Sequence, residues 1–172
     1  MSLESGNSIE IDRIGTFRFV EPGRFEFVPN QCTSLFVAYV EEDLAVTEKI
    51  YDDLERAGFA PWMDRRNLLP GQNWPRSIER SIEISDFFIA VLSRKSVLKR
   101  SVFQSELRYA FECARRQPLD SVFIIPVRIE ACEPPARITR NLQCVDLYPD
   151  FDAGMRRIVS MIKKELSRRR RR

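Results

Sequence analysis

One glutamate, Glu106, stands in a place where the sequence could do chemistry. It lies one turn into a predicted helix, with Val102 before it and Tyr109 after it, and that helix follows an apolar run, 87–92, that ends at Ser93. In an open α/β sheet, ligands bind in the groove outside the carboxyl ends of the strands. A half-buried carboxylate there either lowers the stability of the fold or serves a function. Glu106 is therefore a candidate catalytic residue, and the alternative is an exposed glutamate that favours the start of its helix.

The chain contains no histidine, and this excludes several kinds of active site. Ser-His-Asp and Cys-His triads, H-E-x-x-H metal sites and histidine general bases all need that residue. The six glycines form neither G-x-G-x-x-G nor G-x-x-x-x-G-K-[ST], the loops that hold dinucleotides and triphosphates. Catalysis would have to use carboxylates, hydroxyls, thiols, amines or a bound metal. We predict no metal site, since acids such as Glu41, Glu42 and Asp43 more often solvate a loop.

The composition is that of one globular domain with short extensions. The chain has 172 residues, of which 44% are hydrophobic and 31% are charged, and this length is enough for a single core. The longest apolar run, 87–92, is too short to cross a membrane, and no leader sequence opens the chain. Four scattered cysteines without C-x-x-C spacing are typical of reduced thiols in the cytosol. We expect a cytoplasmic protein.

Five consecutive arginines at the end of the sequence account for its formal net charge of +3. They are Arg168, Arg169, Arg170, Arg171 and Arg172. Like charges repel, which predicts a solvated and disordered basic tail, 168–172. The alternative is an electrostatic contact with nucleic acid or an anionic membrane.

Residues 1–33 are predicted to form a separate extension. Phe17, Phe19, Phe25 and Phe27 alternate with other residues on either side of a Pro-Gly pair, which is typical of a β-hairpin. A lone hairpin is marginally stable in water. We therefore expect its phenylalanine face to pack on its own domain or, as the less favoured alternative, on a partner. The main domain is then 34–167.

Short predicted strands alternate with predicted helices throughout this main domain. The strands are expected at 35–39, 59–63, 87–92, 122–127 and 144–147. Helices are expected at 43–57 with Asp43 as its cap, from Pro75 past Ile82, from a Ser101 capping box past Ala114, and at 151–166. Strands separated by helices form parallel sheets through right-handed crossovers. We predict an α/β fold of flavodoxin-like type, with a five-stranded parallel sheet and helices on both faces.

The ends of the strands exclude two functions that use this architecture. A phosphoacceptor receiver domain needs an aspartate after the third strand and a lysine after the fifth, where this chain has Ser93 and Tyr148-Pro149-Asp150. A flavin phosphate site needs glycine and small hydroxyl residues after the first strand, where the acids 41–43 would repel a phosphate. A site built around a carboxylate on the helix after the third strand remains.

Five segments, taken in order, resemble the Toll/interleukin receptor (TIR) domain, particularly its bacterial form. They are LFVAY at 35–39 with Asp43, GFAPWMD at 58–64, LLPG at 68–71 with Trp74, SDFFIAVLS at 85–93, and SVFQSEL at 101–107. The resemblance extends from residue 34 to about residue 166. It implies the strand order 2-1-3-4-5, which would bring Ser93 and Glu106 beside the turn that follows the first strand.

The resemblance also implies an activity, because many TIR domains cleave NAD⁺ between nicotinamide and ribose. The family's catalytic glutamate matches Glu106. Nicotinamide leaves a cationic pyridinium as a neutral molecule, so no general acid is needed, and one carboxylate can stabilise the oxocarbenium charge. No cofactor is implied, since NAD⁺ is the substrate. The positions that match the family's pocket are Tyr39, Val40, Asp64, Trp74 and Ser93. The alternatives are a packing role for Trp74 and a strand-capping role for Ser93.

The predicted loop 64–74 corresponds to the BB loop, through which TIR domains pair. Its residues for self-association are Arg65, Arg66, Leu68, Leu69, Pro70 and Gly71. The arginines could meet an acidic partner or a pyrophosphate, or could simply be solvated. The resemblance thus implies a homo-oligomer, contacts with other TIR proteins, and a role in immune, antiviral or cell-death signalling.

Two positions depart from the family pattern. Many members have an aromatic residue at the position of Val102 and a small hydroxyl residue at the position of Ala38, and losing a stacking ring would weaken substrate binding or change the product. Two classes of function stay open: an NAD⁺ glycohydrolase that yields ADP-ribose or a cyclic form, and a catalytically silent TIR adaptor. A nucleoside-type glycosyl-transfer enzyme is a third possibility.

Overall fold

A computed structural model describes residues 8–11, 15–21, 24–29, 32–69, 71, 73–98, 102–118 and 120–171. The chain divides into two compact units, Met1–Thr33 and Ser34–Arg172. The first unit contains an antiparallel sheet of three strands, β1 (Ser8–Ile11), β2 (Gly15–Glu21) and β3 (Arg24–Pro29). In β2 and β3, Phe17 lies opposite Phe27 and Phe19 opposite Phe25. The hairpin of the sequence analysis therefore has a third strand, β1, and the packing of its phenylalanine face stays a prediction.

The second unit is built on a parallel sheet of five strands. The strands are β4 (Ser34–Ala38), β5 (Ala60–Trp62), β6 (Phe87–Leu92), β7 (Ile124–Arg128) and β8 (Val145–Asp146). Their order is β5-β4-β6-β7-β8, which is 2-1-3-4-5 when counted within this unit. The predicted fold class and strand order are confirmed.

Helices cover both faces of this sheet. They are α1 (Leu44–Arg56), α2 (Asp64–Asn67), α3 (Trp74–Ile84), α4 (Arg94–Leu98), α5 (Val102–Arg115), α6 (Ala136–Thr139) and α7 (Phe151–Arg169), with a 3₁₀ turn at Glu41–Asp43. No helix in the described part of the chain is long and apolar enough to span a membrane.

Alternation along the strands fills two separate cores. In β6, Phe87 and Ile89 belong to the core shared with α1 and α7, whereas Phe88 and Ala90 belong to the core shared with α3 and α5. Successive side chains of a strand point to opposite faces, so a strand covered on both sides reads as a continuous apolar run. This explains why all of β6 is buried.

Local signals at the helix ends agree in part with the sequence analysis. Helix α3 has Pro75 in its first turn, and the side chain of Asn73 accepts a hydrogen bond from the Arg76 N–H. Gly58 follows α1 with a φ of 88°, a conformation that glycine adopts without strain. Asp43 precedes α1 but makes no side-chain capping bond, which corrects its predicted role. The proposed capping residue Ser101 lies outside the described residues.

Two of the differences from prediction concern helices. The predicted loop 64–74 includes the one-turn helix α2, which is too short for a periodic pattern to reveal. Helix α7 continues to Arg169, so the prediction of a solvated tail beginning at Arg168 is wrong for its first two arginines. These side chains remain ordered because they bond to Glu165, with Arg168 Nε donating at 2.8 Å and Arg169 Nε at 3.4 Å.

Candidate active site

Glu106 lies on the side of α5 that faces the protein. Its neighbours one turn away on the same side, Phe103 and Ala110, are core residues, because positions three and four apart share a helix face. Glu106 is 8% exposed. No residue that the structure describes donates a hydrogen bond to its carboxyl group. This side chain is therefore a buried acid without a hydrogen-bond partner among the described residues, at the carboxyl-edge groove that the fold predicts.

Glu106 lies between two hollows that share part of their walls. One hollow has a volume of about 240 Å³, and its lining residues are Tyr39, Val40, Glu41, Glu42, Asp64, Trp74, Val102, Phe103 and Glu106. The other has a volume of about 170 Å³, and its lining residues are Trp74, Pro75, Ile78, Glu79, Ile82, Val102, Ser105, Glu106 and Tyr109. Trp74, Val102 and Glu106 belong to both. We call the first the acidic hollow and the second the apolar hollow.

The environment of Glu106 favours its uncharged form. Burial, and secondarily the nearby charge of Asp64, raises the pKa of Glu106 from 4.5 to about 8. Desolvation penalises an ionised carboxyl group, and a second carboxylate repels it. Perturbed acids in a cleft are candidates for function. At neutral pH the carboxyl group of the free protein is mostly protonated.

Asp64 is held in place by two hydrogen bonds to the same oxygen atom. The Tyr39 hydroxyl donates to Asp64 Oδ1 at 2.7 Å, and the backbone N–H of Arg65 donates to it at 2.7 Å. Burial, together with the bond to Asp64, raises the pKa of Tyr39 above its ordinary value. Tyr39 therefore stays a neutral donor, and it joins the end of β4 to the start of α2.

The structure brings five of the six predicted pocket residues together and places Ser93 elsewhere. Tyr39, Val40, Asp64 and Trp74 line the acidic hollow with Glu106, and Trp74 is 45% exposed. Ser93 is 1% exposed and lines neither hollow. The substrate contact predicted for Ser93 stays a prediction.

Ser93 turns inward towards the turn that follows β4. Its hydroxyl accepts a hydrogen bond from the Ser96 N–H at 3.1 Å. Burial raises the pKa of Asp43, and a hydrogen bond from the Ser93 hydroxyl opposes that rise. Within the described residues, Asp43 Oδ2 has no partner. Ser93 thus supports the turn that carries Glu41 and Glu42 to the hollow.

The predicted self-association segment continues directly from Asp64. Arg66 pairs with Asp52 at 2.6 Å and lies 4.4 Å from the centre of the Tyr51 ring, so it is engaged within its own domain. Arg65 lies 3.7 Å from Glu41. Leu69 is 66% exposed, Leu68 is partly buried, and Gly71 has a φ of 86°. Pro70 lies outside the described residues.

Sequence reasoning did not identify the residues that complete the two hollows. Glu41 and Glu42 directly follow Tyr39 and Val40, so the strand end itself was a signal for them. The walls of the apolar hollow come from packing between α3 and α5, which no local pattern reveals. Among the described residues, no group of three or more histidine, cysteine, aspartate or glutamate side chains is arranged to hold a metal ion.

The sequence profile of the TIR domain matches residues 35–159. The chain belongs to the TIR domain family. A protein of Sinorhizobium fredii, y4cD, is 25% identical over 112 residues, which are 65% of this chain and 17% of that protein. This TIR domain therefore spans a small part of the length of its relative.

Two solved structures share the fold of this TIR domain. The TIR domain of the Toll-related receptor TRR-2 from Hydra magnipapillata has a TM-score of 0.58 and 23% identity, over 73% of this chain and 97% of that one. The CMP N-glycosidase BcmB of Clostridium botulinum has a TM-score of 0.50 and 20% identity, over 73% of this chain and 96% of that one. At these identities the likeness is one of fold.

Proposed function

We propose that this TIR domain is an NAD⁺ glycohydrolase that cleaves the bond between nicotinamide and ribose at Glu106. The observation that carries this proposal is the position of Glu106, which is 8% exposed and lines a hollow together with the aromatic side chain of Trp74. The products are nicotinamide and ADP-ribose or its cyclic form. Membership of the TIR family, in which many domains have this activity, supports the same conclusion.

The reaction needs little more than this arrangement. The bond between ribose C1′ and the pyridinium nitrogen breaks, its electron pair stays on the nitrogen, and nicotinamide leaves as a neutral molecule. When the cationic substrate is bound, its positive charge favours the ionised form of Glu106. That carboxylate faces the positive charge that develops on the ribose, in a site where burial strengthens electrostatic interactions. Water then adds to C1′, and its proton passes to Glu106. In the cyclic product, a nitrogen of the adenine replaces the water.

The size of the acidic hollow suggests how the substrate is held. Ligand pockets commonly enclose about 300–1,000 Å³, whereas this hollow encloses about 240 Å³. It suits the ribose and pyridinium part of the substrate, and the remainder would extend over the rim. The self-association segment begins next to Asp64, at this rim. We propose that assembly with a second TIR domain completes the site, as part of immune or cell-death signalling.

The likeness to the CMP N-glycosidase of Clostridium botulinum favours a second candidate, the cleavage of a pyrimidine nucleotide. Both reactions break a bond between a base nitrogen and ribose C1′, so the same carboxylate could serve either. The two candidates differ in the charge of the base, which is positive in NAD⁺ and neutral in CMP. They can therefore be separated by substrate.

The test is to incubate the purified protein at high concentration with NAD⁺ or with CMP and to measure nicotinamide or cytosine by chromatography. Glu106→Gln should lower nicotinamide release by about 10²–10³-fold, because an amide cannot carry the negative charge. Glu112→Gln, on the exposed side of the same helix, is the matched control and should keep full activity. Equal release by wild type and Glu106→Gln would refute the assignment. A protein that releases neither base under any assembling condition would be the catalytically silent adaptor.

A further inference from the structure

The exposed side of helix α7 carries a seven-residue repeat of charge that the proposed function does not use. Pairs of basic residues recur along it, and a serine stands between successive pairs. The pairs are Arg156 with Arg157, Lys163 with Lys164, and Arg170 with Arg171, and the serines are Ser160 and Ser167. All eight side chains are exposed. We call these eight residues the basic face of α7.

Helical geometry arranges this repeat in two straight rows. Seven residues make almost two full turns and rise about 10.5 Å, so residues seven apart lie nearly above one another. One row consists of Arg156, Lys163 and Arg170, and the other of Arg157, Lys164 and Arg171. The rows are about 100° apart around the helix, with the serines between them. Arg170 keeps a helical backbone as the C-cap of α7, and the Arg171 N–H donates to the Arg168 carbonyl oxygen at 3.2 Å, so the last pair continues both rows.

The charges of the basic face are not neutralised by the domain. None of its six cations forms an ion pair with a residue that the structure describes. The exposed positions of the helix from 156 to 171 contain no acid. Asp53 and Asp152 border the adjoining groove between α1 and α7, and Asp53 is already paired with Arg56. Six cations of one sign on one face attract a partner with many negative charges.

The residues around these cations favour a double-stranded nucleic acid over other anionic partners. A helix that binds a membrane surface inserts an apolar side, whereas Met155, Ile158 and Ile162 of α7 lie in the core. Single strands are bound by aromatic rings that stack on the bases, and protein partners are bound by buried aromatic or apolar anchors. The exposed positions from 156 to 171 are all basic or serine, so they offer neither.

We propose that the basic face of α7 binds duplex DNA, with one row of cations directed to each of the two phosphate strands that border the major groove. That groove is about 12 Å wide and admits an α-helix, whereas the major groove of duplex RNA is deep and narrow. The short serines between the rows let the helix approach the groove. Contacts to phosphates position a protein without reading bases, so binding has no sequence preference. This inference is independent of the chemistry at Glu106.

The test is to titrate a fluorescently labelled DNA duplex of roughly 20 base pairs, two turns of the double helix, with the 172-residue chain and to follow anisotropy. Between about 50 and 200 mM salt, six phosphate contacts should give a slope of about −5 for log K against log salt concentration. The double variant Lys163→Ala with Lys164→Ala removes the middle pair. It should reduce the size of the slope by about two and weaken binding at about 50 mM salt at least about tenfold.

The double variant Arg76→Ala with Arg80→Ala is the matched control, because it removes the same charge from exposed positions of α3. Helices α3 and α7 pack on opposite faces of the sheet, so this control should bind DNA as the wild type does. Alanine favours helices, and circular dichroism checks that both double variants are folded. Duplexes of unrelated sequence should bind with equal affinity.

Four results would overturn the proposal. They are no binding of the duplex at about 50 mM salt, an equal loss of affinity in the two double variants, binding of single-stranded DNA or duplex RNA as tight as that of duplex DNA, and tighter binding to phosphatidylserine vesicles than to the duplex. The last result would assign the basic face to a membrane surface. A protein that binds DNA but never releases nicotinamide would support this proposal and refute the glycohydrolase, and a protein that releases nicotinamide but never binds DNA would do the reverse.

Discussion

Two buried glutamates in this protein have opposite environments. Glu165 is 6% exposed, and burial alone would raise its pKa. Hydrogen bonds from Arg168 and from the Val122 N–H outweigh burial, so the pKa of Glu165 lies below its ordinary value. Glu106 has a similar exposure and no such donors in the part of the chain that the structure describes, and its pKa is raised. A buried charge without a partner lowers stability, so Glu106 is a residue that folding alone does not explain.

We predict that Glu106→Gln stabilises the protein in a pH-dependent way. The pKa of Glu106 is about 8 in the folded protein and near 4.5 in the unfolded chain. Below pH 4.5 both states are protonated. As the pH rises towards 8 the unfolded chain alone loses the proton, which favours unfolding, and above 8 this penalty is constant. Glutamine cannot ionise, so the variant should gain on the order of 3–5 kcal/mol over the wild type near pH 8.5.

Thermal melting followed by circular dichroism between pH 5 and pH 8.5 measures this gain. The advantage of Glu106→Gln in melting temperature should grow steadily over the range. Glu112→Gln, which alters an exposed acid on the same helix, should show no such trend. If the advantage is constant or absent, the pKa of Glu106 is the same in the folded and unfolded states, which would contradict the prediction.

Among the secondary-structure elements, long periodic segments could be predicted and short ones could not. Strand β6 was predicted at its observed bounds, because six apolar residues in succession fill both cores. Helices α2, α4 and α6 have four or five residues each, which is too few to show helical periodicity. Helix α7 continues beyond its last predicted apolar residue because its arginines bond to Glu165. The spacing of residues in the sequence does not reveal such contacts.

The site follows the same division. Glu106, Asp64 and Trp74 were assigned from the resemblance to the TIR family, and the fold brings them to one hollow. The substrate contact of Ser93 stays a prediction, because a residue at a strand end can turn towards the solvent or towards the core, and the sequence does not say which. The apolar hollow could not be foreseen, since its walls depend on how α3 packs against α5.

Helix α7 packs closely on the last strand, and this contact gives a second prediction. A Cβ atom at Gly154 would lie 2.5 Å from the Asp146 carbonyl oxygen and 2.5 Å from Leu147 Cδ2. Alanine normally favours a helix over glycine by about 1 kcal/mol, but overpacking costs about 1–3 kcal/mol. We expect the cost of overpacking to exceed the gain in helix propensity, so Gly154→Ala should lower the free energy of unfolding in urea. Ser160→Ala, at an exposed position of the same helix, should leave it equal or slightly higher; a Gly154→Ala protein more stable than wild type would contradict the close packing.

Within the TIR unit, Arg169 near the end of α7 contacts residues at the amino ends of β6 and β7. Arg169 Nη2 donates to the Val122 carbonyl oxygen at 2.7 Å and to the Asp86 carbonyl oxygen at 3.3 Å. Its guanidinium group lies 4.5 Å from the centre of the Phe87 ring. These contacts lie at the amino ends of β6 and β7, whereas the hollows lie at the carboxyl edge. Stability and recognition therefore depend on opposite edges of one sheet.

This separation predicts the behaviour of Arg169→Ala. The variant leaves two part-buried carbonyl groups without this donor, so its free energy of unfolding should fall by about 1–3 kcal/mol. Its release of nicotinamide from NAD⁺ should match that of the wild type at a temperature where both are folded. Urea titration and chromatography of the released nicotinamide measure the two properties, with Arg170→Ala, at an exposed position, as the control. Loss of nicotinamide release in folded Arg169→Ala would show that the two edges are coupled.

The two edges of a parallel sheet differ, because one carries the amino ends of its strands and the other the carboxyl ends. Here Glu165 is the buried acid near the amino ends, and Glu106 is the buried acid near the carboxyl ends. Substitutions around Glu165 should change how long the molecule survives heat or proteolysis, while those around Glu106 should change what it recognises. The two properties can then be altered in separate mutational steps. A lineage that first gained stability through substitutions around Glu165 could then change the ligand bound near Glu106 without losing the fold.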